Sequence, residues 1–478
     1  MPVIFDQIRG LSDSKWSGIA GSVYKLVGVD IHSTPGLTKV HQKLAKDSAS
    51  VVDALCRVRI AVSDGASLWF SYTTGKIWRE SSGTYTLVYT TTPAAGNAGC
   101  LGAEEFDGFI YWATQSRLHR IATANTTTAA AWTANAVEDW ATFTNTDAGY
   151  HPMVKQNLQL FIGDANYVSK VSGATGSHAF TANALDLKSP IRIKTLITFD
   201  IDILIGTLIA TTVNSCEIIR WDTESESWLS ADHLDENGVN CFIQDDNYTY
   251  IQAGQLGRIY VYDGAKAILL KRIPGDWSPS KTAEVYPQAS AMLLGIPRFG
   301  LSNVAGNPTE QGVYSLGSYS PDYPKALDLS FIISPDDTSS IEIGALLTKG
   351  ADLWASWYDG TNYGVDKLDY TAKYASAYIE TMMLTPVAAR HFLKTALKIF
   401  ANYASLPAST AITIKYKKQH ETNYTTTGSN IDDTKLMQIR AEESIPDVAT
   451  LQLRIEFTVS SNNAPELESL VYEDNVTE

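Results

Sequence analysis

The sequence predicts an all-β chain, a β-propeller of six or seven blades followed by a C-terminal β-sandwich. Three observations carry this reading. The 32 glycines and 24 tyrosines, with many threonines and serines, favour turns and strands over helices. One local arrangement, a short aromatic or β-branched strand, a tight polar turn and a second strand, repeats from about Cys56 to Lys367. Beyond that point the pattern changes to longer alternating runs such as LQLRIEF, which read as half-buried strands.

The chain divides accordingly into an N-terminal segment (1–50), a propeller (51–372) and a sandwich (373–478). At 478 residues it exceeds one ordinary core, and a hydrophobic content of 44% marks it as globular. Taking Trp69, Tyr111, Phe161, Ile205, Tyr250, Leu293 and Ile343 as equivalent strand positions gives steps of about 45 residues, the length of a four-stranded blade. Two stacked sandwiches are the rival arrangement. A blade cannot bury both faces alone, so the ring must close. The segment GLTKVHQKL (Gly36 to Leu44) is the expected donor of a closing strand to the last blade. In the C-terminal part, RHFLKTALKIFANY (Arg390 to Tyr403) reads as a strand, although its apolar residues also fit a helical period.

Charge and cysteine usage narrow the function classes. A net charge of -15 and a pI near 5.0 argue against electrostatic attraction to nucleic acid, and the longest basic run, Lys415, Lys417 and Lys418, reads as one solvated strand face. Cys56, Cys100, Cys216 and Cys241 lie far apart with no C-x-x-C pair, so reduced buried thiols are expected, with one disulfide left open. The start MPVIFDQIRG lacks the basic and apolar regions of a secretory signal. The apolar window Thr195 to Val213 contains Asp200 and Asp202, each costing roughly 2.5–3.5 kcal/mol near a bilayer centre. It is expected to form two strands with a turn around Gly206, not a membrane span.

Catalytic signatures are sparse. No H-E-x-x-H, G-x-S-x-G, P-loop or dinucleotide fingerprint occurs, and the eight histidines show no metal-ligand spacing. The acidic pairs Glu104/Glu105, Asp200/Asp202, Asp245/Asp246, Asp336/Asp337 and Asp432/Asp433 read as turn and capping chemistry, with a loop-bound calcium as the alternative. A propeller glycosidase would instead need two carboxyls facing each other across a central pocket, one of them raised in pKa.

SYTTGKIW (Ser71 to Trp78) nearly matches the S-x-D-x-G-x-x-W hairpin of sialidase-like propellers, with Thr73 in the aspartate position. Ser71, Thr73, Gly75 and Trp78 are therefore expected to form a structural hairpin away from the mouth, with the Thr73 hydroxyl bonding the turn and Trp78 packing between blades. WDTESESW (Trp221 to Trp228) is expected to be a similar packing turn. Tyr319, Tyr323, Trp357, Tyr358 and Tyr363, in loops rich in Tyr, Gly, Ser and Asp, are candidate contact residues for a glycan, a receptor or a neighbouring subunit.

GSVYKLVGVDIHSTPGLTKVHQKLA (Gly21 to Ala45) resembles the opening of many tailed-phage virion proteins. VATLQLRIEFTVSSNNAPELESLVYED (Val448 to Asp474) resembles the closing strands of their terminal sandwich. The order of propeller then sandwich is similar to the tail hub or nozzle proteins of short-tailed phages. That resemblance implies a non-enzymatic virion component in the phage tail, without a cofactor, docked to other tail or adaptor proteins. It further implies a homo-oligomer, hexameric in a nozzle, that meets DNA only in transit past a repelling acidic lumen. The alternative is a receptor- or glycan-binding tail tip or fibre protein.

Overall fold

The structure, a computed structural model, describes residues 3–5, 8–12, 15–16, 21–47, 52–92, 99–145, 149–210, 214–272, 284–302, 311–318, 325–335, 341–384, 394–427, 431–432, 439–441, 445–448 and 450–476. Six four-stranded antiparallel sheets stand as separate blades. Five follow one another along the chain. Blade 1 begins with Cys56–Ala61, blade 2 with Gly102–Phe106, blade 3 with Met153–Gln156, blade 4 with Ile191–Phe199 and blade 5 with Val239–Gln244. The sixth separate sheet, blade 7, contains Glu342–Lys349, Asp352–Tyr358 and Tyr363–Lys373. Between blades 5 and 7 a further four-stranded unit, blade 6, runs from Ser290–Leu293 to Ala326–Phe331 and continues into a ten-stranded sheet. The first strands of all seven units contact each other in sequence and back to blade 1, so the ring is closed.

Blade-to-blade packing explains why the aromatic and β-branched strands recur. Trp69 and Trp78 of blade 1 pack with Leu347 and Trp354 of blade 7, Phe70 with Trp112 of blade 2, and Tyr111 with Leu160 and Ile162 of blade 3. Phe161 packs with Ile205 and Trp221 of blade 4. Each core therefore belongs to two blades, and no blade completes one alone. Gly206 lies inside the second strand of blade 4, not at a turn. A Cβ there would stand 2.9 Å from Val239 Cβ of blade 5, so a side chain would push the blades apart. The expected turn falls instead at Asp200 and Ile201.

The N-terminal segment joins everything else. Val3–Phe5 pairs with Glu466–Val476 of one sandwich sheet. Lys25–Val27 lies between blade 6 and the other sandwich sheet, parallel to the outer strand of blade 6 at Val27↔Leu329 and antiparallel to Tyr378–Glu380. Gln42–Lys46 is the outer strand of blade 7, paired with Tyr363–Lys373. The sandwich strands Ala411–Lys418 and Leu451–Thr458 continue the ten-stranded sheet, and Lys394–Ser405, a strand throughout, centres the opposing five-stranded one. Leu26, Ile379, Ile414, Leu453, Ile455 and Leu470 share a single core with blades 5, 6 and 7.

A buried polar knot pins this segment to blade 6. His32 Nε2 lies 2.6 Å from Asp328 Oδ1, Ser330 Oγ donates to Asp328 Oδ2 at 2.5 Å, and Arg298 donates to Ser330 at 3.0 Å. The His41 ring packs 4.5 Å from that of Phe331. Burial lowers the His41 pKa to about 4, against the pull of Asp30 and Asp328. Burial likewise lowers His119 to about 4, and raises Asp366 to about 6.

Two predictions follow from this architecture. Leu26→Ala, at a side chain 1% exposed, should lower stability by about 2–5 kcal/mol in denaturant titration. Leu87→Ala on an exposed outer strand should change it by less than about 0.5 kcal/mol. The second concerns acid. An unfolded histidine binds its proton near pH 6.5 while native His41 does so only near 4, so the unfolded state holds more protons in that window. Stability therefore falls as pH drops from about 6.5 to about 4, by on the order of 3 kcal/mol for His41. Asp366 opposes this, gaining stability as pH falls from about 6 towards its unfolded value. His41→Gln should flatten the wild-type loss by the His41 share.

Candidate functional site

In an antiparallel four-stranded blade the loops before the first strand and between the second and third strands open at the same end. At that end of the ring, the innermost strands converge on a polar and aromatic cluster. Arg57 and Arg59 alternate with Val58 and Ile60 on the first strand of blade 1. The strand period of two turns Val58 and Ile60 into the core between blades 1 and 2, leaving the two cations on the opposite face.

The Arg57 guanidinium lies 4.0 Å from the Tyr72 ring centroid and 3.8 Å from that of Tyr286. It donates to Tyr286 Oη at 2.7 Å and to Glu342 Oε2 at 3.1 Å, while Tyr286 Oη donates to the same Glu342 oxygen at 3.1 Å. Arg59 donates from Nε to the Leu346 carbonyl at 2.6 Å, and its backbone N–H to Gln288 at 2.8 Å. Across the mouth, Lys194 of blade 4 donates to Asn240 of blade 5 at 2.7 Å and lies 3.5 Å from Glu284. Burial lowers the Lys194 pKa, with Glu284 opposing. Asn240 passes the network on to Gln252 at 2.6 Å. Blades 1, 4, 5, 6 and 7 are thus tied through their innermost strands and the loops that lead into them.

The cavity beside this cluster, lined by Arg57, Tyr72, Tyr150, Lys194 and Gln288 among others, measures about 80 Å³. Ligand pockets run to about 300–1,000 Å³. Glu342 is engaged by Arg57 and Glu284 by Lys194. The arrangement pairs the charges that face this cavity.

The hairpin Ser71 to Trp78 joins the second and third strands of blade 1, so it stands at this mouth and Tyr72 lines the cavity. Both its expected location and its brace need correcting. Ser71 Oγ accepts from the N–H groups of Thr73 and Thr74 at 3.2 and 2.9 Å, leaving the turn held by Ser71 and not by the Thr73 hydroxyl. Gly75 supplies the left-handed φ of 69°, and Trp78 packs between blades 1 and 7. Trp357 is corrected as well. It is 4% exposed, with its indole donating to Asp366 at 2.6 Å, because it sits on the middle strand of blade 7 and not in the loop. Tyr358 and Tyr363 flank that loop, half-buried and stacked with centroids 4.5 Å apart. Tyr319 and Tyr323 lie outside the described residues.

Asp245 accepts from the N–H groups of Asn247 and Tyr248, and Asp202 pairs with Arg220 at 2.5 Å. Asp336, Asp337 and Asp433 are outside the described residues. Among the described residues no three His, Cys, Asp or Glu side chains converge as a metal site requires, and no helix is long and apolar enough to cross a membrane. All four cysteines are free and buried, and burial pushes Cys100, Cys216 and Cys241 up to about 12. His32, His41, His119, His151 and His178 are buried packing residues, and His233 and His420 are exposed.

No family model matches the chain, and no curated protein matches it. Among solved structures, a catalytically inactive virginiamycin B lyase from Staphylococcus aureus with quinupristin is 12% identical over 68% of this chain and 99% of its own, with a TM-score of 0.48. The β-propeller domain of Cps50 from Myceliophteria thermophila is 9% identical over 66% and 97%, with a TM-score of 0.45. The extracellular domain of a hybrid two component system from B. thetaiotaomicron is 13% identical over 85% of this chain and 47% of that one, with a TM-score of 0.46. These likenesses go no further than the fold.

Arg57→Met should leave the half-buried Glu342 without its cation, held by the Tyr286 hydroxyl alone, and lower stability by about 1–3 kcal/mol. The double variant Arg57→Met with Glu342→Gln should recover part of that loss in the same denaturation assay, since it removes both charges.

Proposed function

We propose that this chain is a non-enzymatic structural component of a tailed phage particle, of the tail hub or nozzle type, that docks to neighbouring tail or adaptor proteins as a homo-oligomer. The observation that carries the reading is the unbroken strand ladder from blade 6 through Lys25–Val27 into the sandwich. Propeller and sandwich are joined by backbone hydrogen bonds, which suits a part that transmits load between neighbours. DNA in transit would run through a common channel set among the protomers. The net charge of -15 would keep DNA from adhering there.

A receptor- or glycan-binding tail tip is the second reading. It is favoured by a cleft of about 600 Å³ between blades 2 and 3, lined by Phe106, Asp107, Leu158 and Gln159. The Gln159 side-chain carbonyl there is buried without a hydrogen-bond partner.

Mass spectrometry of purified particles, with immunogold labelling, tests the first reading. Peptides of this chain at a fixed copy number, with label on the tail, are expected; absence from the particles would overturn it. Saturable binding on a glycan array, lost in Gln159→Ala, would transfer the assignment to the second.

A further inference from the structure

The loops between first and second strands, and between third and fourth strands, all open at the end of the ring opposite the mouth. At that end the three most exposed large apolar side chains of the described residues all lie in the two-residue turns of inner hairpins, Leu158 and Ile201 second in the turn and Leu294 first. Leu158 (91% exposed), Ile201 (72%) and Leu294 (72%) sit at the tips of the inner hairpins of blades 3, 4 and 6. Tyr248, 49% exposed, closes the longer four-residue turn of the corresponding hairpin in blade 5. Leu158 and Leu294 adopt left-handed φ values of 57° and 51°, where a bulky side chain is strained and Asn or Gly is the ordinary choice. Blades 2 and 7 follow the ordinary rule, with Asp107-Gly108 and Gly350-Ala351. Four consecutive blades therefore present apolar or aromatic turn residues that solvation disfavours, two of them, Leu158 and Leu294, against backbone preference as well.

The arc is set among carboxylates. Among the described residues at this end, Asp107 of blade 2, Asp200 and Asp246 on inner hairpins and Glu224, Glu226 and Asp263 on outer hairpins are exposed, against Lys155, already paired with Glu104, and Lys266. Stacking two arcs face to face would oppose like charges, and an anionic membrane would repel them.

The same chain carries the complement. On the sandwich face of the ten-stranded sheet, Lys415, Arg454, Glu380 and Lys25 stand in cross-strand register. Lys15 and Lys417 join them. Burial, then the positive charges of Lys15, Lys25 and Arg454, lower the Lys417 pKa against the pull of Glu380. Tyr24 and Tyr424 lie under these cations, and Trp16, next to Lys15, is 55% exposed. Glu456 pairs with Lys415 and Arg454, and Glu380 lies 3.6 Å from Arg454, so five cations stand against two carboxylates, a basic and aromatic patch in a chain of net charge -15.

We propose that the apolar, acidic arc of one protomer docks on the basic, aromatic sandwich face of a second copy. The contact is head to tail, so each protomer offers one arc and one patch. Such an interface generates a ring if the rotation closes and a filament if it does not. The inference deepens the oligomeric part of the function proposed above but does not depend on a phage origin. The chain's absence from particles would overturn that reading and leave this one standing.

The test is mass photometry of the purified full-length protein at low and high salt, with two variants. The arc variant carries Leu158→Asp, Ile201→Asp and Leu294→Asp; the patch variant carries Lys25→Glu and Lys417→Glu. Wild type is expected to form species larger than dimers that shift to monomer at high salt. Each variant alone should be monomeric, and their equimolar mixture should give a heterodimer and nothing larger, because one intact arc then meets one intact patch. Heterodimer formation also shows both variants to be folded. A monomeric wild type, an oligomer unchanged by either variant, or a mixture that stays monomeric would overturn the proposal.

Discussion

A propeller blade has two apolar faces and no core of its own, and every other feature of this molecule depends on that constraint. Each blade is stable only when both neighbours are present, so the ring has to be closed by something stronger than side-chain contact. Here the closure is covalent and hydrogen-bonded at once. Gln42–Lys46, from before blade 1, forms the outer strand of blade 7, with Leu44 opposite Leu368. Opening the ring would break that ladder and expose the shared core of Trp69, Trp78 and Trp354.

The same N-terminal segment then does a second job. Its strand at Lys25–Val27 turns blade 6 and a sandwich sheet into one surface, and the knot of His32, Asp328, Ser330 and Arg298 fixes the intervening chain. Asp328 sits between His32 and Ser330, so this cluster is not arranged as a nucleophilic triad, where the histidine would hold the serine. Its hydrogen bonds run from Arg298 through Ser330 and Asp328 to His32, while His32 Nδ1 and Arg298 Nε stay buried without a partner.

Much of the fold was legible because strand periodicity and aromatic recurrence report blade packing directly. Trp69, Tyr111, Phe161, Ile205 and Tyr250 do occupy second strands of successive blades, but Leu293 and Ile343 fall on first strands. In blades 6 and 7 the first and second strands are both buried, so their patterns look alike and the anchor slips by one strand. The turn placed at Gly206 failed for a related reason. A glycine demanded by the close approach of two blades looks the same in sequence as one demanded by a turn. The mouth was less legible still. Arg57 meets Tyr286 and Glu342 only after the ring closes, and the sole local sign was cations alternating with valine and isoleucine on an inner strand. Trp357 was misassigned because a tryptophan beside a Tyr-Asp-Gly turn reads as loop, when its indole in fact anchors the buried Asp366.

These elements make a rigid body whose terminal segment is as integral as its blades. Amide hydrogen exchange at Lys25–Val27 and Gln42–Lys46 tests that most directly. The account predicts protection equal to that of the innermost blade strands, lost only in global unfolding. Rapid exchange of these two strands while the blades remain protected would contradict it, showing a ring and a sandwich that hold together without them.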